Sequence, residues 1–190
     1  MKKLRISSFV MSVFFLLFSS NSYALTYQVD FTVSDFLNVS SISPSTPAPY
    51  IPISGSMLFN AASINSPIDS LLSVNLAIGS HTYVLSELGF ENSSTLAVIG
   101  RTIFSVIGIG ENYDDFWLSW NLSTLQPYSF GYTTSDVGGA WVLYEGVAGY
   151  EGLSFDSFSI YPPIPEPATF ILLGSGLAGL FWYGRKRKNA

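Results

Sequence analysis

Polar and apolar residues alternate with a period of two along most of this chain. Leu25, Tyr27, Val29, Phe31 and Val33 interleave with Thr26, Gln28, Asp30, Thr32 and Ser34. That spacing puts one set on each face of a strand and makes one face apolar. Residues 53–60 read the same way, with Ile53, Gly55, Met57 and Phe59 on one side. Residues 71–78 place Leu72, Val74, Leu76 and Ile78 together, and Gly79-Ser80 turns the chain back through residues 81–86 as a hairpin. Residues 96–109 are rich in β-branched side chains and broken by Gly100 and Gly108, which predicts two strands. In residues 116–122, Phe116, Leu118 and Trp120 share one face and Trp117 and Ser119 the other. Tyr128, Phe130 and Tyr132 alternate again, and residues 140–147 and 153–160 supply the last strands. No stretch of the body holds a helical period over ten to twelve residues. Short strands at close spacing predict an all-β body, an antiparallel β-sandwich or jelly roll.

The two ends break the pattern. Lys2, Lys3 and Arg5 precede an apolar run over residues 6–18, and Ser22-Tyr23-Ala24 supplies small residues where signal peptidase reads them. This predicts a signal peptide over residues 1–24, cut between Ala24 and Leu25. The body then spans residues 25–161. At the other end, residues 162–167 form a proline-rich spacer that includes Pro165, Glu166 and Pro167. Residues 168–184 carry no charged side chain, and Arg185, Lys186, Arg187 and Lys188 follow in a tail over residues 185–190. An uncharged run of that length sits at the lower end of what crosses a bilayer as a helix. Trp182 and Tyr183 favour the interface, and the four cations place that end in the cytoplasm. A C-terminal single transmembrane helix is therefore expected. Pro165 and Pro167 keep Glu166 in extended backbone just outside the membrane.

This ordered tail resembles the PEP-CTERM sorting signal, found in Gram-negative bacteria that make extracellular polysaccharide. The resemblance implies that an exosortase, a membrane-embedded cysteine transpeptidase, recognises Pro165, Glu166 and Pro167 and cleaves nearby. It implies an inner-membrane intermediate with the body outside, then delivery to the cell surface or extracellular matrix. The implied partners are signal peptidase, exosortase, the inner membrane and extracellular polysaccharide. The tag implies sorting and leaves the activity of the body open.

Charge sharpens the picture. Of thirteen acidic residues all but Glu166 lie in the body, whereas seven of the eight Lys and Arg lie in the two ends. Arg101 is the body's one cation. Such a surface repels nucleic acid, which is not expected as a partner. With no cysteine in the chain, a thiol nucleophile is excluded, so this protein is not itself the transpeptidase.

Catalytic signatures are missing. His81 is the single histidine and supports neither a zinc site nor a triad by itself. Glu111, Asp114 and Asp115 are the densest acidic group, but without calcium-loop spacing they read as a solvated turn. Glu145 and Glu151 are the acids a glycosidase would need only if the fold paired them. No catalytic, cofactor or metal site is expected, and the body reads as non-enzymatic. The remaining signal is aromatic: Trp117, Trp120, Tyr128, Tyr132, Trp141 and Tyr144 fall in successive strands. Aromatic faces pack cores, and they also stack on sugar rings. With Trp120 inward, Trp117 points outward. Trp117 and Trp141 are the candidate glycan contacts for a carbohydrate-binding module.

Overall fold

The computed structural model describes residues 24–40, 46–103, 106–107, 110, 113–162, 173–177 and 179. The body is two antiparallel sheets. One runs in the order β12-β1-β3-β4-β5, built from β1 (Leu25–Val33), β3 (Ile53–Ala61), β4 (Ile68–Ile78), β5 (His81–Thr82) and β12 (Ser157–Tyr161). The other runs β2-β11-β10-β9-β7-β6, from β2 (Leu37–Asn38), β6 (Leu88–Asn92), β7 (Leu96–Ile103), β9 (Phe116–Asn121), β10 (Pro127–Thr134) and β11 (Gly139–Tyr144). A short β8 (Val106–Ile107) folds back on β7. Sequence neighbours pair in β3–β4, β6–β7 and β9–β10–β11, so the architecture is a sandwich of hairpins.

The period-two pattern does what it dictates. Tyr27, Val29, Phe31 and Val33 of β1 are buried, as are Ile53, Met57 and Phe59 of β3. They meet Phe116, Leu118 and Trp120 of β9 and Phe130 and Tyr132 of β10 in one core. Phe31 reaches Phe130 at 5.1 Å and Phe59 reaches Trp120 at 5.6 Å between ring centroids, which ties the two sheets together. Aromatic pairs at such spacings add to the burial term that dominates the stability of a sandwich.

The structure departs from simple alternation where strands bulge. Leu58 pairs with Ser73 and Phe59 with Leu71, so Leu72 is the extra residue of a bulge in β4. An extra residue resets which side chains face inward. Leu72 is therefore exposed, and Leu71 packs on the core in its place. The hairpin strand expected over residues 81–86 is cut short. After Thr82 the chain enters a one-turn 3-10 helix, Leu85–Glu87. Gly100 does not end a strand, because β7 runs through it to Ile103.

Among the described residues no helix is long and apolar enough to cross a membrane. Of the expected span over residues 168–184, only 173–177 and 179 are described, and they are helical. The rest of that span, the expected signal peptide through residue 23, Pro165, Glu166, Pro167 and the basic cluster Arg185, Lys186, Arg187 and Lys188 lie outside the described residues.

Candidate functional site

The outer face of the larger sheet carries the partly exposed Trp117 and the exposed Tyr128, while Tyr113 and Tyr161 are exposed elsewhere on the body. Across β7, β9, β10 and β11, the backbone register aligns Gly100, Trp117, Gly131 and Val142 in one row. The next row is Val98, Ser119, Ser129 and Tyr144. Both rows lie on the opposite side from the core positions Ile99, Leu118, Phe130 and Leu143, as alternation requires.

Trp117 lies flat on this face. A Cβ built on Gly131 would sit 2.7 Å from Cη2 and Cζ2 of the indole and 2.9 Å from Cε2. Three ring atoms at near-equal distance mean that the ring face, not its edge, covers Gly131. Only glycine leaves room for this approach. The indole Nε1 donates to Ser129 Oγ at 3.0 Å, and Ser129 Oγ lies 2.6 Å from Ser119 Oγ. Both serines are buried under the ring. Packing below and a hydrogen bond at the rim therefore fix the ring, which is half-buried and parallel to the sheet.

Tyr128 joins it for a reason that alternation does not reveal. The β9–β10 register shifts between Pro127 and Ser129, which pairs Pro127 with Trp120 and Ser129 with Ser119. This bulge turns Tyr128 out of the Phe130–Tyr132 series. Tyr128 is 37% exposed while Phe130 and Tyr132 are fully buried. Its ring meets Tyr144 edge-on at 6.1 Å, and Tyr144 meets Tyr150 at 4.8 Å. Trp117, Tyr128, Ser119 and Ser129, with Glu91, Leu96 and Val98, line a groove of about 350 Å³. That is the lower end of small-molecule site volumes.

Trp141 does not belong to this face. Its side chain is fully buried, stacks on Tyr132 at 5.2 Å, and donates from Nε1 to the Thr46 carbonyl at 3.1 Å. The expected glycan contact at Trp141 is corrected accordingly. The residue falls on the inward phase of β11 and serves the core.

The body's one cation and one histidine sit elsewhere, in a cluster at one end of the sandwich. Arg101 donates to the Asp114 carbonyl at 2.8 Å and stands 3.5 Å from the Asp115 carboxylate and 3.9 Å from Glu87. His81 Nε2 lies 3.2 Å from Glu87. Asp115 is fully buried, which corrects the expectation of a solvated turn at that residue; Asp114 is partly exposed, and Glu111 lies outside the described residues. Burial pushes the Asp115 carboxyl above the usual carboxylate range, against the Gly110 amide and Arg101, which hold it down. Asp114 instead accepts from the Ser135 amide and hydroxyl at 2.9 and 2.8 Å. Among the described residues, no group of three or more His, Asp or Glu is placed to hold a metal ion. Glu151 accepts from the Gly149 amide in the loop between β11 and β12.

The remaining site is covalent address rather than surface. β12 is the edge strand of the smaller sheet, and exposed Pro162 follows its last residue, Tyr161. From residue 163 to residue 188 the chain matches the PEP-CTERM protein-sorting motif. The chain carries a PEP-CTERM sorting motif. The motif makes it an exported protein sorted through exosortase, with processing at the membrane. No curated protein and no solved structure matches the chain. The PEP-CTERM motif thus begins two residues after β12, and the body beside it carries Trp117 and Tyr128 on the outer face of its larger sheet.

Proposed function

We propose that this PEP-CTERM protein is a non-enzymatic component of the cell surface or extracellular matrix. Signal peptidase cuts between Ala24 and Leu25. Residues 168–184 hold the intermediate in the inner membrane as a transmembrane helix, with the body outside and the basic tail in the cytoplasm. Exosortase then acts at Pro165, Glu166 and Pro167. The observation that carries this reading is the sorting motif over residues 163–188. The ends of the fold support it. Ala24 is exposed and Leu25 opens β1, so the first cut leaves that strand whole. Leu173 and Leu177, one helical turn apart, are about 60% exposed, which suits a helix whose surroundings are lipid.

Intact mass of the protein from its host, with and without exosortase, tests the route. A species that begins at Leu25 and ends near residues 165–167 only when exosortase is present is the expected result. A species that keeps residues 168–190 in both strains would make the tail a permanent anchor and remove the matrix assignment.

One observation favours a second, more specific role. Trp117 is held flat and partly exposed on the outer sheet face, the posture in which an indole stacks on a sugar ring. We propose that the body binds extracellular polysaccharide through this face. The tail and the face then have one logic, because the tail delivers the protein to the place where polysaccharide is.

A further inference from the structure

We infer that the Trp117 groove takes an uncharged polysaccharide, and that acidic polymers are excluded from it by charge. The inference rests on the glycan-binding reading and adds the class of ligand.

The argument begins with what the face lacks. A polyanionic glycan is held by cations, chiefly arginine forks on its carboxylates or sulfates. Among the described residues the one Lys or Arg is Arg101. Its guanidinium is turned to Asp114, Asp115 and Glu87 in the end cluster. The groove is instead rimmed by Glu91. Glu145 and Glu151 flank the far end of the aromatic track, next to Tyr144 and Tyr150 in the chain. Twelve acids against one arginine in the body spread the same sign over the whole domain. A uronate or sulfated chain would meet repulsion at every approach and no counter-charge at the site.

What the face offers is matched to a neutral pyranose. The indole of Trp117 presents a fixed apolar plane of the kind that covers the C–H face of a sugar. Its orientation is set before binding by Gly131 below and Ser129 at the rim, so little ordering is lost on contact. Glu91 and the Tyr128 hydroxyl supply an acceptor and a donor at the groove edge for ring hydroxyls. Tyr144 and Tyr150 continue the aromatic surface beyond Tyr128. Aromatic rings thus extend beyond the groove on the Tyr128 side, where further units of a polymer would lie.

Affinity electrophoresis of the full-length chain in detergent tests this, with gels that contain neutral β-glucan, galactomannan or xyloglucan, and parallel gels with alginate or hyaluronan. The wild type should be retarded by at least one neutral polymer and by neither acidic one. Trp117→Ala should weaken that retardation by about tenfold, as expected for the loss of an anchoring aromatic. Near-UV circular dichroism checks that each variant is folded. If Trp117→Ala unfolds, Tyr128→Ala carries the test, because that side chain lies at the exposed rim and its loss should weaken retardation several-fold. Retardation by alginate that depends on Trp117 would overturn the neutral-ligand inference while leaving glycan binding in place. Retardation by no polymer would overturn both. Retardation by neutral polymer that is unchanged in the folded variants would move the site away from this face. A dimer in light scattering that dissociates on Trp117→Ala would assign the face to a second copy of the chain and overturn the inference.

Discussion

Gly131→Ala is the perturbation that best isolates the posture of Trp117. The new Cβ would lie 2.7 Å from two indole carbons, where ordinary contact begins near 3.4 Å. The ring must therefore lift or slide by roughly 0.7 Å to restore van der Waals contact. Gly131 is a central residue of β10, paired on both sides, so the backbone has little freedom to give instead. Two costs follow. Displacing a packed ring costs about 1–3 kcal/mol. Losing the 3.0 Å bond from Nε1 to Ser129 Oγ costs about 1 kcal/mol. Opposing them, an alanine restricts the unfolded chain and stabilises by about 0.4–1 kcal/mol. The costs win, with a net loss of about 1–3 kcal/mol. For a domain of this size that lowers Tm by roughly 4–12 °C. A thermal melt read by circular dichroism, with tryptophan emission in parallel, measures both consequences. Emission should shift to longer wavelength as the indole leaves its seat. An unchanged Tm together with unchanged emission would refute the reasoning, because it would mean that the ring does not rest on Gly131.

Two further outcomes follow from the interior. Trp120→Ala removes a fully buried ring that touches Phe59 and Phe158 across the sheets, and denaturant melts should show a loss of about 3–5 kcal/mol. Asp115 has its carboxyl raised above 3.8 by burial, so the folded state favours the protonated form. Its contribution to stability is therefore greatest below that value and declines as pH rises through the raised folded-state value. Asp115→Asn should flatten this part of the Tm-against-pH curve from pH 3.5 to 7, and a curve that keeps its slope would show that other carboxylates set it.

What could be read from the sequence divides along physical lines. The basic and apolar N-terminal run, the Pro-Glu-Pro element, the uncharged run and the basic cluster are linear features. Residue order alone displays them, whatever the rest of the chain folds into. The strand class and much of the core are local in the same sense. Tyr27, Val29, Phe31 and Val33 are buried because period two and one apolar face permit nothing else once a partner sheet exists. The outward direction of Trp117 follows from Trp120 by the same arithmetic.

Position across strands is different, because it depends on register, and register depends on bulges that no local pattern marks. One extra residue in β4 exchanged Leu72 for Leu71 in the core, and the shift at Pro127/Ser129 turned Tyr128 from an apparent core residue into a rim aromatic beside Trp117. Trp141 looked no different from Trp117 as an aromatic in a strand, and only the stack on Tyr132 and the bond to Thr46 place it inside. The glycine beneath Trp117 comes from the neighbouring strand, fourteen positions along the chain, where a lone Gly in an alternating run reads as a defect. Likewise Asp115 is buried because β9 begins at Phe116 and draws its neighbour under Arg101 of β7. The sequence by itself determined the address, the sign of the charge and the kind of fold. The tertiary structure decided which aromatics are surface and which are core, because that choice is made by pairing between strands distant in the chain.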